Sequence, residues 1–279
     1  MGDEKQKRVD IVIRWIMFTA SICGMGLAAA LFPIEGNVPL IVIPSILVLL
    51  FSKPVFFERL KLTTLVVMRI LIVFAALNLF SKQLYVNAIL IMLMVNILEA
   101  TLTDIFRYKK YINGISGIVL TVAVCALSGV WSEAATVGDF YIVGGAGLAA
   151  SLCYIVAYTI WNWIFVTNEF SSSVALMHVG FLSAPIIGCI LTLWMGPAAG
   201  FGMWLLLRAN TLAIGGWMQI AAKSWFEKEF FSPNFDKFVK WTKKTNVQVV
   251  LMIINLILLG YCIYASVSAG TFTLPNLFI

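Results

Sequence analysis

Charge is scarce in this sequence. Asp, Glu, Lys and Arg make up 11% of its 279 residues while 61% are hydrophobic, and no water-soluble globule is built from that ratio. The chain reads as an integral membrane protein. Histidine is scarcer still: His178 is the only one, which excludes bis-histidine haem ligation and multi-histidine metal sites. The five cysteines, Cys23, Cys125, Cys153, Cys189 and Cys262, form no CxxC pair and all fall within apolar runs. They read as small packing residues, so no metal and no cofactor is expected. Walker loop, GxSxG elbow, HExxH helix and DxxD carboxylate cluster are all missing. ATP hydrolysis, serine-hydrolase chemistry, zinc proteolysis and magnesium-diphosphate prenyl transfer therefore have no residues to carry them. Every lysine sits in a loop or at an interface, which removes a retinal Schiff base.

What is present is long apolar stretches at spanning length. The reading is an all-α, polytopic membrane helix bundle of about nine transmembrane helices, a single domain over residues 1–279. Residues 1–10 form a polar cytoplasmic tail. The spans run roughly 11–32, 40–56, 62–80, 84–106, 112–131, 140–166, 174–195, 201–221 and 247–268. The first run lacks a small-residue cleavage site and is read as a retained span. The second is short and holds Pro44, so the count falls to eight if it does not cross, and Pro33 to Pro39 ahead of it reads as an outward turn. Of 19 basic residues, all but Arg69, Arg208 and Lys82 then share one side. That asymmetry puts the N-terminus in the cytoplasm and the C-terminus outside a cell inner membrane. The outward loop with Glu133 and Asp139 carries no Lys or Arg.

Residues 223–245 interrupt the apolar pattern with six lysines among Trp225, Phe226, Phe230, Phe231, Phe235, Phe238 and Trp241. Ser232 and Pro233 fit an N-cap and a first helical position. The segment reads as an amphipathic helix on the cytoplasmic face, aromatics dipped among headgroups and lysines on anionic lipid. The net charge of +6 is thus topological, and nucleic acid is not an expected partner.

The stretch from Met92 to Lys110 organises the functional reading. It begins apolar, acquires Asn96 and Glu99 three residues apart on one helical face, and ends at Arg107, Lys109 and Lys110. Glu99 lies about 12 Å inside that basic boundary at 1.5 Å per residue. A carboxyl at such depth costs several kcal/mol unless it is paired or protonated. Arg69 and Arg208 fall near the middle of their spans, Asn210 lies beside Arg208, and His178 and Asn162 lie near the cytoplasmic ends of theirs. The expectation is a shared polar cavity open to the cytoplasm. Tyr154, Tyr158 and Trp161 share one face of span six, as helix packing, an aromatic belt or a stacking wall for a lipid-like substrate.

Two arginines against one deep acid leave an excess positive charge that an anionic ligand would balance. The leading expectation is a secondary transporter or lipid flippase for an anionic or amphipathic small substrate. Arg69, Asn96, Asn162, Arg208 and Asn210 bind it, and Glu99 with His178 carries a coupling proton. A membrane-embedded enzyme acting on lipid, with His178 as base and Glu99 as partner, is the second reading. A structural subunit with a buried ion-pair core is the third.

Overall fold

The computed structural model describes residues 2–52, 54, 56–79, 81–127, 131–132, 141–142 and 146–275. Among the described residues the regular structure is helical apart from one two-residue antiparallel pair, Trp131 with Ile142 and Ser132 with Tyr141. The helices are α1 (Gly2–Leu31), α2 (Pro33–Asn37), α3 (Ile43–Phe51), α4 (Phe56–Ala76), α5 (Lys82–Leu102), α6 (Tyr111–Ala123) and α7 (Leu148–Glu169). They continue with α8 (Ser172–Leu191), α9 (Pro197–Gly202), α10 (Trp204–Ala221), α11 (Lys223–Glu229), α12 (Pro233–Thr242) and α13 (Thr245–Ser268). Among the described residues, six helical stretches are long and apolar enough to cross a membrane: Val9–Leu31, Pro33–Phe51, Val86–Arg107, Leu148–Glu169, Ser172–Leu191 and Thr245–Ser268. The other three segments read as spans are helical too. Of these α6 is only 13 residues long, α4 carries Glu58, Arg59, Lys61 and Arg69, and α10 carries Arg208, Asn210 and Gln219.

The second segment differs from the expectation. Pro33 to Pro39 is not a turn but the start of a continuous helical run that passes through a π-helical turn at Val38–Val42. The reversal occurs at Phe32 alone, whose backbone leaves the helical region before Pro33 restarts it. Asn37 Nδ2 then donates to Ala29 and Pro33 carbonyls, each at 2.8 Å. A Cβ on Gly36 would lie 2.5 Å from the Ala28 carbonyl oxygen, so only glycine permits so close a hairpin. Pro39 and Pro44 each lack a backbone donor inside this run, and the π-helical turn falls where they interrupt its hydrogen-bond ladder. The polar tail is also helical, the start of α1. The residues Lys53, Phe80, Gly129, Glu133, Asp139, Gly144 and Gly145 lie outside the described residues.

Packing groups the helices in two sets. One is α1 against α8 and α10; the other is α13 against α7 and α6, with α5 on α6. Gly180, Gly188 and Gly215 make the first set close: a Cβ on Gly215 would meet the Phe181 ring at 2.6 Å. The five cysteines are unbridged, four buried and Cys153 half-buried.

The basic loops collect at one end. Arg14, more than three turns into α1, pairs with Glu229 of α11, Ser172 hydrogen-bonds Asp236 of α12, and Gln248 of α13 donates to Asn168 at 3.0 Å. At the other end, Thr273 N donates to the Cys125 carbonyl at 3.3 Å. Helix α12 is capped as expected, with Ser232 Oγ accepting from Phe235 N. It buries Val239 against Phe165, Val166 and Ala175 and leaves Phe238 and Trp241 about half exposed beside its lysines.

Candidate functional site

Helix α10 places Arg208 and Asn210 two residues apart, so they leave it on different faces. On the Asn210 face, Arg69 of α4 donates through Nη1 to Asn210 Oδ1, and Asn210 Nδ2 donates to the Gly26 carbonyl of α1 at 3.0 Å. Both side chains are fully buried. The chain Arg69–Asn210–Gly26 fastens α4, α10 and α1 together, so a guanidinium and an amide placed by span depth in one cavity form a three-helix seam.

The Arg208 face is different, and α8 explains it. Pro185 has no N–H to give the Phe181 carbonyl one turn back. That carbonyl instead accepts from Thr211 Oγ1 at 3.3 Å and, at the outer limit of a hydrogen bond, from Arg208 Nη1 at 3.5 Å. The guanidinium carbon lies 5.5 Å from the centroid of the Tyr158 ring of α7, a cation–π distance. Arg208 is only 3% exposed, its Nε has no hydrogen-bond partner, and among the described residues it forms no ion pair. A buried guanidinium held by one long hydrogen bond and one ring lacks the counter-charge it was removed from water without.

Around it stand the residues that the aromatic spacing picks out. Tyr158 and Tyr154 both meet the Trp204 ring edge-on, at 5.2 and 6.2 Å, and Trp161 lies 5.8 Å from Tyr158. The hydroxyls of Tyr154 and Tyr158, Trp161 Nε1 and Asn162 Oδ1 have no hydrogen-bond partner. Asn162 is four residues from Tyr158 and shares its face. His178 is stacked on Phe170 at 5.2 Å and meets Phe181 edge-on at 5.5 Å. Its Nδ1 lies 2.9 Å from the Val174 carbonyl, and since a carbonyl only accepts, Nδ1 carries the proton there.

The structure thus sets Arg208 between the Phe181 carbonyl and the Tyr158 ring, with His178 edge-on to Phe181 and Asn162 one turn from Tyr158 on α7, while Arg69 pairs with Asn210 on another face of α10. Asn96 is half-buried on α5, and Glu99 is exposed instead of enclosed. No hydrogen bond or ion pair joins Asn96 or Glu99 to either arginine among the described residues. Glu99 instead shares the basic end with Lys61 and Glu169, whose charges act on one another. Lys61, read from the sequence as a loop residue, is thus part of this polar mouth.

Asp104 was missed by sequence reading. It is fully buried and accepts from Asn113 Nδ2 at 2.6 Å. The available signal was its setting, a carboxyl flanked by Leu102, Ile105 and Phe106 with an asparagine nine residues on across a short turn.

These features define a class: an all-helical protein with six helices, among the described residues, long and apolar enough to cross a membrane, and with polar side chains buried between helices. Comparison with protein-family models, curated proteins and solved structures gave no match.

Proposed function

We propose that the chain is a multi-pass inner-membrane protein of the secondary-transporter or flippase type, with nine crossings, that binds an anionic or amphipathic small substrate at Arg208. The observation that carries this reading is the buried Arg208 guanidinium, which among the described residues pairs with no carboxylate. An anionic headgroup, carboxylate or phosphate would supply two or more charge-assisted hydrogen bonds to its fork. The Tyr158 hydroxyl, without a hydrogen-bond partner among the described residues, and the Asn162 amide nitrogen one turn away are the donors that would orient such a group, and the Tyr154–Tyr158–Trp204 cluster is the apolar wall. Arg69 and Asn210 take a fastening role, and Asn96 with Glu99 lines the approach from the basic end. A proton relay between Glu99 and His178 is not carried forward. His178 is held by Val174 and two rings, and nothing joins it to Glu99.

The basic loops gathered at one end support a cytoplasmic N-terminus and an outward C-terminus by the positive-inside rule. Anionic lipid headgroups around α12 follow from its lysines and half-exposed aromatics.

The test is thermal unfolding of detergent-purified protein with inorganic phosphate, short-chain carboxylates and phosphatidylglycerol, repeated on Arg208→Gln. Stabilisation of several degrees by one of these classes, absent in the variant, is the expected result. Equal stabilisation of both proteins would place the anion elsewhere and remove Arg208 from the site.

A further inference from the structure

A second polar constellation lies away from Arg208, where α5 and α6 fold back on each other. The hairpin is closely zipped. A Cβ on Gly117 would lie 2.0 Å from Thr101 Oγ1, and one on Gly114 would lie 2.4 Å from Ile105 Cγ1. Between these two contacts runs the Asn113–Asp104 hydrogen bond. Thr101 and Asp104 share a face of α5, and Asn113, Ser116 and Gly117 share a face of α6. All four polar side chains in this seam are fully buried. Yet Thr101 Oγ1, Asp104 Oδ1, Asn113 Oδ1 and Ser116 Oγ have no hydrogen-bond partner.

Four enclosed oxygens without hydrogen-bond partners among the described residues, two of them acceptor-only oxygens of Asp104 and Asn113, are a costly arrangement that a cation among them would offset. Asp104 forms no ion pair among the described residues. Of the charges that act on it, Lys110 opposes its own and Glu169 adds to it. The backbone points the same way. Residues Thr103–Arg107 form a π-helical turn at the carbonyl end of α5, where the helix dipole is negative, and such turns recur at functional sites. Broken helix ends and hydroxyls are the usual surroundings of a coupling ion in a transporter. No group of three His, Cys, Asp or Glu side chains occurs among the described residues, so transition-metal ligation has nothing to build on. One carboxylate with three neutral oxygens matches a single positive charge and a hard ion.

We infer that the α5–α6 seam is a sodium-ion site ligated by Asp104 Oδ1, Asn113 Oδ1, Thr101 Oγ1 and Ser116 Oγ, and that sodium is the coupling ion of the transport cycle. The coupling role rests on the transport reading above; the ion site itself does not. Sodium entering the seam would neutralise Asp104 and tighten the α5–α6 hairpin against Trp161 of α7, whose Nε1 stands 2.7 Å from where a Gly117 Cβ would be.

The experiment is thermal unfolding of the full chain in zwitterionic-lipid nanodiscs at pH 8, with sodium chloride exchanged for choline chloride at constant ionic strength. Direct binding of radioactive sodium serves as the second readout. Wild-type protein should gain several degrees with saturation in sodium, more than with equal potassium, and Asp104→Asn should lose both the gain and the binding. If Asp104→Asn does not fold, Thr101→Val and Ser116→Ala should each raise the half-saturating sodium concentration about tenfold while unfolding in choline as wild type does. Arg208→Gln should keep the full sodium response, which separates this site from the anion site. No sodium response in wild-type protein, a response equal in potassium, or one unchanged in all the seam variants would overturn the inference. Stabilisation that follows pH alone would also overturn it, leaving Asp104 as a proton carrier.

Discussion

The two faces of α10 meet the same difficulty, a guanidinium buried among helices, and meet it differently. On one face Arg69 is fully buried and passes its charge-assisted hydrogen bond through Asn210 to the backbone of α1. On the other, Arg208 is almost as deeply buried but holds only a carbonyl freed by Pro185 and the face of Tyr158. Burial alone therefore does not separate a structural arginine from a binding one. What separates them is the partner each finds: Arg69 meets a side-chain amide that carries it on to α1, whereas Arg208 meets a backbone carbonyl and a ring, with the Tyr158 hydroxyl and Asn162 Oδ1 nearby on α7 lacking hydrogen-bond partners among the described residues.

The largest effect should come from breaking the closed face. Replacing Arg69 with Leu leaves Asn210 Oδ1 without its donor and α4 unfastened, and should destabilise the fold by about 2–3 kcal/mol. Unfolding by titration with a denaturing detergent reads this, and Asn210→Leu in the same background should add little, because the two act as one unit. Gly117→Ala should come next, at about 1–3 kcal/mol, since the new methyl must displace Thr101 and Trp161 in a packed seam. Arg208→Gln should be milder, within about 1 kcal/mol of wild type without ligand, because few partners are left behind. If Arg208→Gln proves as damaging as the Arg69 change, the contrast between the two faces fails.

The smallest effect concerns α12. Two hydrogen bonds, from Lys240 and from Ser172, hold the Asp236 carboxyl below its ordinary value. A depressed folded-state value means that this anchoring contributes above about pH 4 and is lost as the pH falls through the folded-state value. Loosening of α12 from the ends of α7 and α8 should therefore appear only in acid. Tryptophan fluorescence should report it through the Trp163–Phe238 stack, and Ser172→Ala should move the transition to higher pH. A transition unmoved by Ser172→Ala would detach Asp236 from the docking of α12.

Much of this was legible from residue order. The Ser232–Pro233 start of α12 and the shared face of Tyr154, Tyr158 and Trp161 follow from local capping chemistry and helical spacing. Helix azimuth was not legible. Depth along a span puts Arg69, Glu99 and Arg208 at comparable levels, but only packing decides that Arg69 turns to Asn210 while Glu99 turns outward. The helical hairpin at Phe32–Pro33 was hidden because two prolines and a glycine read as a turn. Their role became visible only with Gly36 pressed on the Ala28 backbone and Asn37 hydrogen-bonded to α1. Asp104 escaped because its partner Asn113 lies on the next helix and Glu99, five residues earlier, drew the attention due to a buried acid.

The most direct measurement is chemical access to the two positions in a cysteine-free background. Cysteine is placed at 208 or at 69 and exposed to a negatively charged, membrane-impermeant thiol reagent in lipid. Modification at position 208, with position 69 inert, is the expected outcome. Equal reactivity at both, or none at position 208 under any condition, would contradict the assignment of Arg208 as the anion-binding residue.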